Sequence, residues 1–359
     1  MTTRADVERM VAEGATFSER NLDGLDLSGI DFGGSAWLKS TARRAKFTDA
    51  RLSECSFANC DLSGADMSRA QMKACAFHAC VLDGARLDGA DLERGAFNAS
   101  SADGLQLGRV NLLHSAWLKV SMKGSSFAGA RLEHANFVET DFHETNFDGA
   151  DLKHTIFMEL ELTSAKLDRA HFDKTTFFRN KMPGKSFARL DLSTCQLMEC
   201  QLDGCDFTDA KLEKTNFSRA TLTGASFEGA MMKNALFPNA IVVNAKFANA
   251  TLSEAIFMEA EVTNADFTKV SANLGMFMRA NLTGTIFRDA DLSFADFSHA
   301  NLKDADFTGA TLVRARLHAS KQDNTKFSAS KSVAEGDNPE LVEAETWWLS
   351  HHRKRPKER

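Results

Sequence analysis

Gly24-Leu25-Asp26-Leu27-Ser28-Gly29-Ile30-Asp31-Phe32 sets Leu27 and Phe32 five residues apart, and that interval runs without an insertion from Phe17 to Phe327. Steps of five read Phe17, Leu22, Leu27, Phe32, Trp37 and, far downstream, Phe287, Leu292, Phe297, Leu302, Phe307. Of the 63 centres in that span only Ala42, Ala102, Ala272 and Gln322 are not large and apolar. Two residues before each centre stands a small one, usually alanine, as at Ala65, Ala85, Ala150, Ala225, Ala250, Ala290 and Ala305. A helix spaces apolar residues at about 3.6 and a strand at 2. A strict period of five therefore belongs to a repeat architecture, in which each step is one side of a coil that turns its centre and its small residue inward. The inside is chemically selective: 26 of the 28 phenylalanines occupy centres, all but Phe178 and Phe294, and the chain has no tyrosine. A buried phenol needs a hydrogen-bond partner, which a column of Phe and Leu does not offer.

Where the small residue is followed by Asp or Asn and then the centre, as in Cys60-Asp61-Leu62, Ala65-Asp66-Met67, Ala150-Asp151-Leu152, Ala290-Asp291-Leu292 and Ala300-Asn301-Leu302, the chain resembles the pentapeptide-repeat family with its A(D/N)Lxx pattern. The match covers roughly residues 15–330. The resemblance implies an all-β fold, a right-handed quadrilateral β-helix of four faces and about 20 residues per coil, about 15 coils in all, stacked at the strand spacing of about 4.8 Å. The expected organisation is a capping helix at 1–14, the repeats at 15–330, and a linker, helix and basic tail at 331–359.

The ends depart from the beat. Thr3-Arg4-Ala5-Asp6 has capping-box spacing, Val7, Met10 and Val11 share one helical face, and Gly14 can close the helix; such a helix would cover the open first coil. Beyond Phe327, Ser332 to Asp337 reads as a polar linker and Pro339 to Leu349 as a helix with proline in its first turn. Leu341, Ala344 and Trp348 are expected to face the last coil, with Trp347 and Trp348 also suited to a dimer contact. The basic run His351–Arg359 reads as a solvated end. Within the repeats, glycines one coil apart (Gly64, Gly84, Gly104, Gly124, then Gly184, Gly204, Gly224) mark a corner of positive φ. Asn180 and Lys185 take inward small positions, which predicts a local bulge that keeps register.

Net charge is −6, mildly acidic. No apolar run approaches a membrane span and the opening residues lack a signal-peptide core, so a cytoplasmic protein is expected. All seven cysteines (Cys55, Cys60, Cys75, Cys80, Cys195, Cys200, Cys205) fall on the small inward position, where Cys substitutes for Ala as a small hydrophobe; free thiols are expected rather than metal ligands or bridges.

Sorting the outside by a 20-residue coil leaves three mostly polar faces and one that is not. The fourth carries Leu38, Leu118, Val138, Met158, Phe178, Met198, Met258 and Met278 just after its centres, and Ile156, Leu236, Ile256 and Met276 just before them. Beside it run Glu159, Arg179, Glu199, Arg219, Glu259 and Arg279, a column of alternating sign. An exposed apolar patch rimmed by polar groups marks an interaction surface, and methionine suits adaptable contacts. The competing reading is that these side chains fold over the neighbouring coil and bind nothing. His114, His134 and His154 also stack one coil apart, near His143 and His171, and read as a surface ladder rather than a zinc site or pH sensor.

No catalytic residue, cofactor-binding residue or metal ligand is assigned, and no nucleophile–base pair can be assembled, so an enzyme is not expected. The leading function is a rigid scaffold binding another protein, or a second copy of itself, through the apolar face. Two alternatives follow from the resemblance. Some pentapeptide-repeat proteins mimic B-form DNA, bind DNA gyrase and protect it from quinolones or toxins; here the acids are interleaved with Arg43, Arg44, Lys153, Lys211 and Lys214 rather than forming one negative stripe. The opening Leu25 to Gly29 is similar to pentapeptide segments encoded with type VI secretion systems. Neither nucleic acid nor membrane is an expected partner.

Overall fold

A computed structural model describes residues 2–328 and 333–352. The chain is a parallel β-solenoid divided into two compact units, Met1–Gln201 and Leu202–Arg359.

The first unit opens with α1 (Arg4–Ala12), whose Thr3 cap and Asp6 carboxylate form the capping box in both directions. Val7 is fully buried, and the Arg4 guanidinium donates to the carbonyls of Asp26 (3.0 Å) and Ser28 (3.1 Å), fixing the helix to the coil it covers. Gly14 ends it at φ +65°, with the Ala15 amide donating to Met10 O. From there each residue pairs in parallel with the one 20 later, as in Asn21↔Thr41↔Asp61↔Val81 and Asp26↔Lys46↔Asp66. Four five-residue steps therefore close one coil. On one side the steps lengthen into a nine-stranded parallel sheet in sequential order, from β1 (Phe17–Ser18) through β6 (Ala116–Leu118), β7 (Asn136–Val138) and β8 (Ile156–Met158) to β9 (Thr176–Phe178). Behind this sheet the centres stack as rings: Phe57, Phe77, Phe97 and Trp117 follow one another at 4.9, 4.7 and 3.8 Å, nearly parallel.

Polar residues at the inward small position obey a local rule. Their hydroxyls donate to the carbonyl of the centre 23 residues earlier: Ser40 to Phe17, Ser125 to Ala102, Thr145 to Met122, Thr155 to Leu132 and Thr175 to Leu152. Cysteine does the same more weakly, Cys75 to Leu52 and Cys200 to Phe177. All seven cysteines are free and buried. The two core indoles are satisfied by the small residue two positions before them, Trp37 by Ser35 (2.9 Å) and Trp117 by Ser115 (3.0 Å), which is how tryptophan enters a core that holds no tyrosine.

The bulge expected at Asn180 is absent. Lys181 pairs with both Glu161 and Gln201, so no residue is inserted. Asn180 is fully buried and uses both ends of its amide, donating to Phe157 O (2.9 Å) and accepting from the Leu160 amide (2.8 Å). Lys185 sends its ammonium to Ala165 O. Packing is looser about half a coil earlier, where Ala170 and Phe172 are 7% and 9% exposed.

In the second unit the coils keep the same register through single parallel bridges, with extended pairing at β10 (Asp306–Phe307) and β11 (Lys326–Phe327). Two phenylalanine columns fill it. Phe227, Phe247 and Phe267 stack at 4.8 and 4.5 Å, and Phe237, Phe257 and Phe277 at 4.5 and 5.1 Å. The columns meet edge to face, as at Phe247 and Phe257 (84°). The exposed ladder at its far end is met by the segment expected to be a linker: Val333 O accepts from Arg314, Glu335 O from Leu317, and the Glu335 amide donates to Ala315 O. Asn338 caps α2 (Pro339–His352), its side chain accepting from Leu341. Of the expected basic run His351–Arg359, residues 353–359 lie outside the described residues.

Most corners are left-handed. The glycine column is there, with Gly64, Gly84, Gly104 and Gly124 at φ +64° to +69°. The equivalent corner elsewhere is held by residues that carry a Cβ, including His114, His134, His154, Leu274 and Phe294 at +54° to +61°.

Candidate functional site

Strand pairing in the first unit places the apolar residues of its fourth face in register. Leu118 lies against Val138, Val138 against Met158 and Met158 against Phe178 on successive strands. Leu118 is 40% exposed and the other three are half-buried. The centres directly beneath them, Trp117, Phe137, Phe157 and Phe177, are fully packed, so the outward column stands on a rigid base. Leu38 belongs to the same register but is separated from Leu118 by Ala58, His78 and Asn98. Ile156 and Met198 are half-buried on the same face. Arg179 bridges Glu159 (3.4 Å) and Glu199 (2.9 Å) along the column's edge, with its guanidinium 4.8 Å from the centre of the Phe178 ring.

The second unit carries its own column: Leu236, Ile256 and Met276 pair in sequence, all half-buried, as are Met258 and Met278. Arg279 pairs with Glu259 at 3.7 Å. A second apolar strip, which sorting by residues adjacent to the centres does not reveal, follows the corner: Leu274, Phe294, Val313 and Val333 are each more than 40% exposed. Arg314 lies over the Phe294 ring.

Helix α2 does not seat its apolar side chains as expected. Leu341, Trp347 and Trp348 are 44%, 58% and 56% exposed. The helix instead meets the outside of the coils through Glu345, whose carboxylate lies 3.1 Å from His299 Nε2 and 3.4 Å from His318 Nε2. Met278 and Leu341 line the same cleft. The sequence hides this cluster, because His299 and His318 are 19 residues apart rather than 20 and Glu345 comes from outside the repeats.

The histidine ladder forms as the spacing implies. His114, His134 and His154 stack at 4.9 and 4.7 Å with their planes within 13°. Parallel rings direct their nitrogens side by side rather than toward a common point, which suits a ladder and not a tetrahedral ion. Burial pushes the Cys195 thiol up to about 12, away from reactivity, whereas Cys55 and Cys60 are lowered to about 7 by hydrogen bonds from Cys75 and Cys80 one coil on.

A family model described as pentapeptide repeats matches residues 43–78, 200–237, 243–271 and 277–321, and one described as a pentapeptide repeat region matches 70–147. Together they span more than half of the sequence. The chain belongs to the pentapeptide-repeat family. Among solved structures it is similar to HetL, a pentapeptide repeat protein involved in heterocyst differentiation regulation from the cyanobacterium Nostoc. That match is 22% identical, over 74% of this chain and 97% of that one, with a TM-score of 0.20. It is also similar to full-length QnrB1, a plasmid-mediated fluoroquinolone resistance protein, at 17% identity over 61% and 94% of the two chains, TM-score 0.30. A siphovirus 9NA tailspike receptor binding domain matches at 10% identity over 94% and 74%, TM-score 0.29. At these scores the family models alone carry the assignment. No curated protein matches the chain. No helix among the described residues is long and apolar enough to cross a membrane.

Proposed function

We propose that this pentapeptide-repeat protein is a non-catalytic scaffold that binds a protein, a different one or a second copy of itself, through its outward apolar columns. The observation that carries the reading is the in-register run Leu118, Val138, Met158 and Phe178, held outward on a packed aromatic stack and edged by the Glu159–Arg179–Glu199 ladder. A preformed apolar strip loses little conformational freedom on binding, and charged edges set orientation more than affinity. The grooves between coils hold side chains already paired with each other, such as Asp23 with Arg43, which suits a binding surface better than a reaction site.

The DNA-mimic alternative draws less support. Many acids are matched by a cation from an adjacent coil, as in Asp49–Arg69 and Glu93–Lys73, and such pairing breaks up a negative stripe. Replacing Met158 and Phe178 together by Asp tests the leading reading, since both are only half-buried and lie outside the packed centres Phe157 and Phe177. The double variant should keep the β signature in circular dichroism yet lose self-association in light scattering and capture of cross-linked protein. Association equal to that of the parent in both assays removes the columns from consideration, and protection of gyrase in a supercoiling assay would move the function to the alternative.

A further inference from the structure

We propose that His299, His318 and Glu345 form a zinc site that fastens helix α2 to the outside of the solenoid's second unit. One ligand atom from each residue lies within 4.8 Å of the other two. Ligands about 2.0–2.1 Å from zinc in a tetrahedron stand about 3.4 Å apart. Glu345 is already at 3.1 Å from His299 Nε2 and 3.4 Å from His318 Nε2. Those contacts use different carboxylate oxygens, Oε1 toward His299 and Oε2 toward His318, so the carboxylate turns one oxygen toward the ion as the imidazoles close on it.

A second observation points independently to a missing group. His318 is 4% exposed, and its Nε2 is buried without a hydrogen-bond partner. Glu345 Oε2 is close enough but out of line for a bond. A buried orphan nitrogen is costly, and a cation between it and Glu345 removes the cost. The other ring nitrogen is also provided for. Asp337 Oδ1 lies 3.6 Å from His318 Nδ1 and is held by the Ala319 amide at 2.8 Å, the carboxylate support that orients metal-binding histidines. The Asn338 amide also approaches Nδ1, at 3.4 Å; for Nε2 to ligate zinc, Nδ1 takes the proton and turns from that amide toward Asp337. The cations around the cleft are neutralised: Arg279 by Glu259, and Arg316 by Asp296 and Glu335. Two imidazoles and one carboxylate favour zinc over magnesium or calcium. Three protein ligands leave a fourth position, reached through half-exposed Glu345, for water.

The site has a structural consequence. Leu341, Val342, Trp347 and Trp348 of α2 are all exposed, so burial of these four contributes little to holding it. Bridging two coil residues to the helix through one ion replaces that burial.

The test uses the full chain without an affinity tag, stripped with a chelator and titrated with ZnCl₂ by calorimetry, with limited proteolysis of α2 as a second readout. The expected result is one zinc per chain, slower cleavage within α2, and affinity at least tenfold weaker in both Glu345→Gln and His299→Gln. Circular dichroism establishes that each variant is folded. Absence of saturable binding overturns the proposal, as does binding of undiminished affinity in both variants, which would put the ion elsewhere, His351 and His352 included. So does cleavage within α2 that is equally slow with and without zinc, since the helix would then be held by the side-chain contacts alone.

Discussion

Asp306, in strand β10, shows how much one side chain can contribute. Its carboxylate accepts from the Thr308 hydroxyl (2.6 Å) and amide (3.0 Å) and from Arg288 (2.8 Å), and the residue is 6% exposed. The Thr308 hydroxyl first, then its amide and the Arg288 guanidinium, hold the carboxyl down to about 2, against the burial that opposes them. A folded value below the unfolded one stabilises at neutral pH, and that stability is lost as pH falls from about 4 through about 2. Asp306→Asn should therefore be less stable than the parent at pH 7, on the order of 2 kcal/mol, with the gap closing toward pH 2. Urea midpoints measured across that range check it; a gap independent of pH would mean that the carboxylate's charge is irrelevant. The glycine corners were legible residue by residue because glycine announces positive φ. Their counterparts were not, because Leu274 and Phe294 adopt φ near +60° at a cost of about 1–2 kcal/mol each, imposed by neighbouring coils and invisible in local propensity.

At the scale of the element, the beat of five disclosed which residues point inward and which pair one coil on, but not how a polar inward residue is satisfied. Asn180 looked like a defect when judged by its polarity alone. In place it acts as a clip between coils, closing the Phe157 carbonyl and the Leu160 amide at once. Asn180→Ala restores the repeat's preferred residue yet leaves both backbone groups buried and unpaired, so a loss of about 1–3 kcal/mol is expected. Thermal unfolding that leaves the midpoint unchanged or raised would show that this corner relaxes to the ordinary turn. The candidate site divides the same way. The apolar column was readable because it repeats every 20 residues. The His299–His318–Glu345 cluster was not, since it depends on where a non-repeating helix comes to rest.

For the whole molecule, the decisive property is that each coil touches only its neighbours, so stability is a sum of coil and interface contributions rather than one shared core. Phe247 tests this from inside the second unit. It is fully buried, stacked between Phe227 and Phe267 at 4.8 and 4.5 Å and edge-on to Phe257 at 5.9 Å. Backbone bonds to the coils on either side hold the surrounding walls, as from Lys246 to Ala225 O and from Phe247 to Asp266 O, so the space left by Phe247→Ala cannot collapse. The local cost should approach about 3–5 kcal/mol. In a linear array that cost opens the adjacent coils first, so hydrogen exchange should accelerate at the amides of Phe227, Lys246, Phe247 and Phe267 while Leu302, which donates to Lys321 O, keeps its protection. Equal loss of protection at Leu302 would mean that the unit unfolds only as a whole, and the aromatic columns would then have to be treated as one cooperative core.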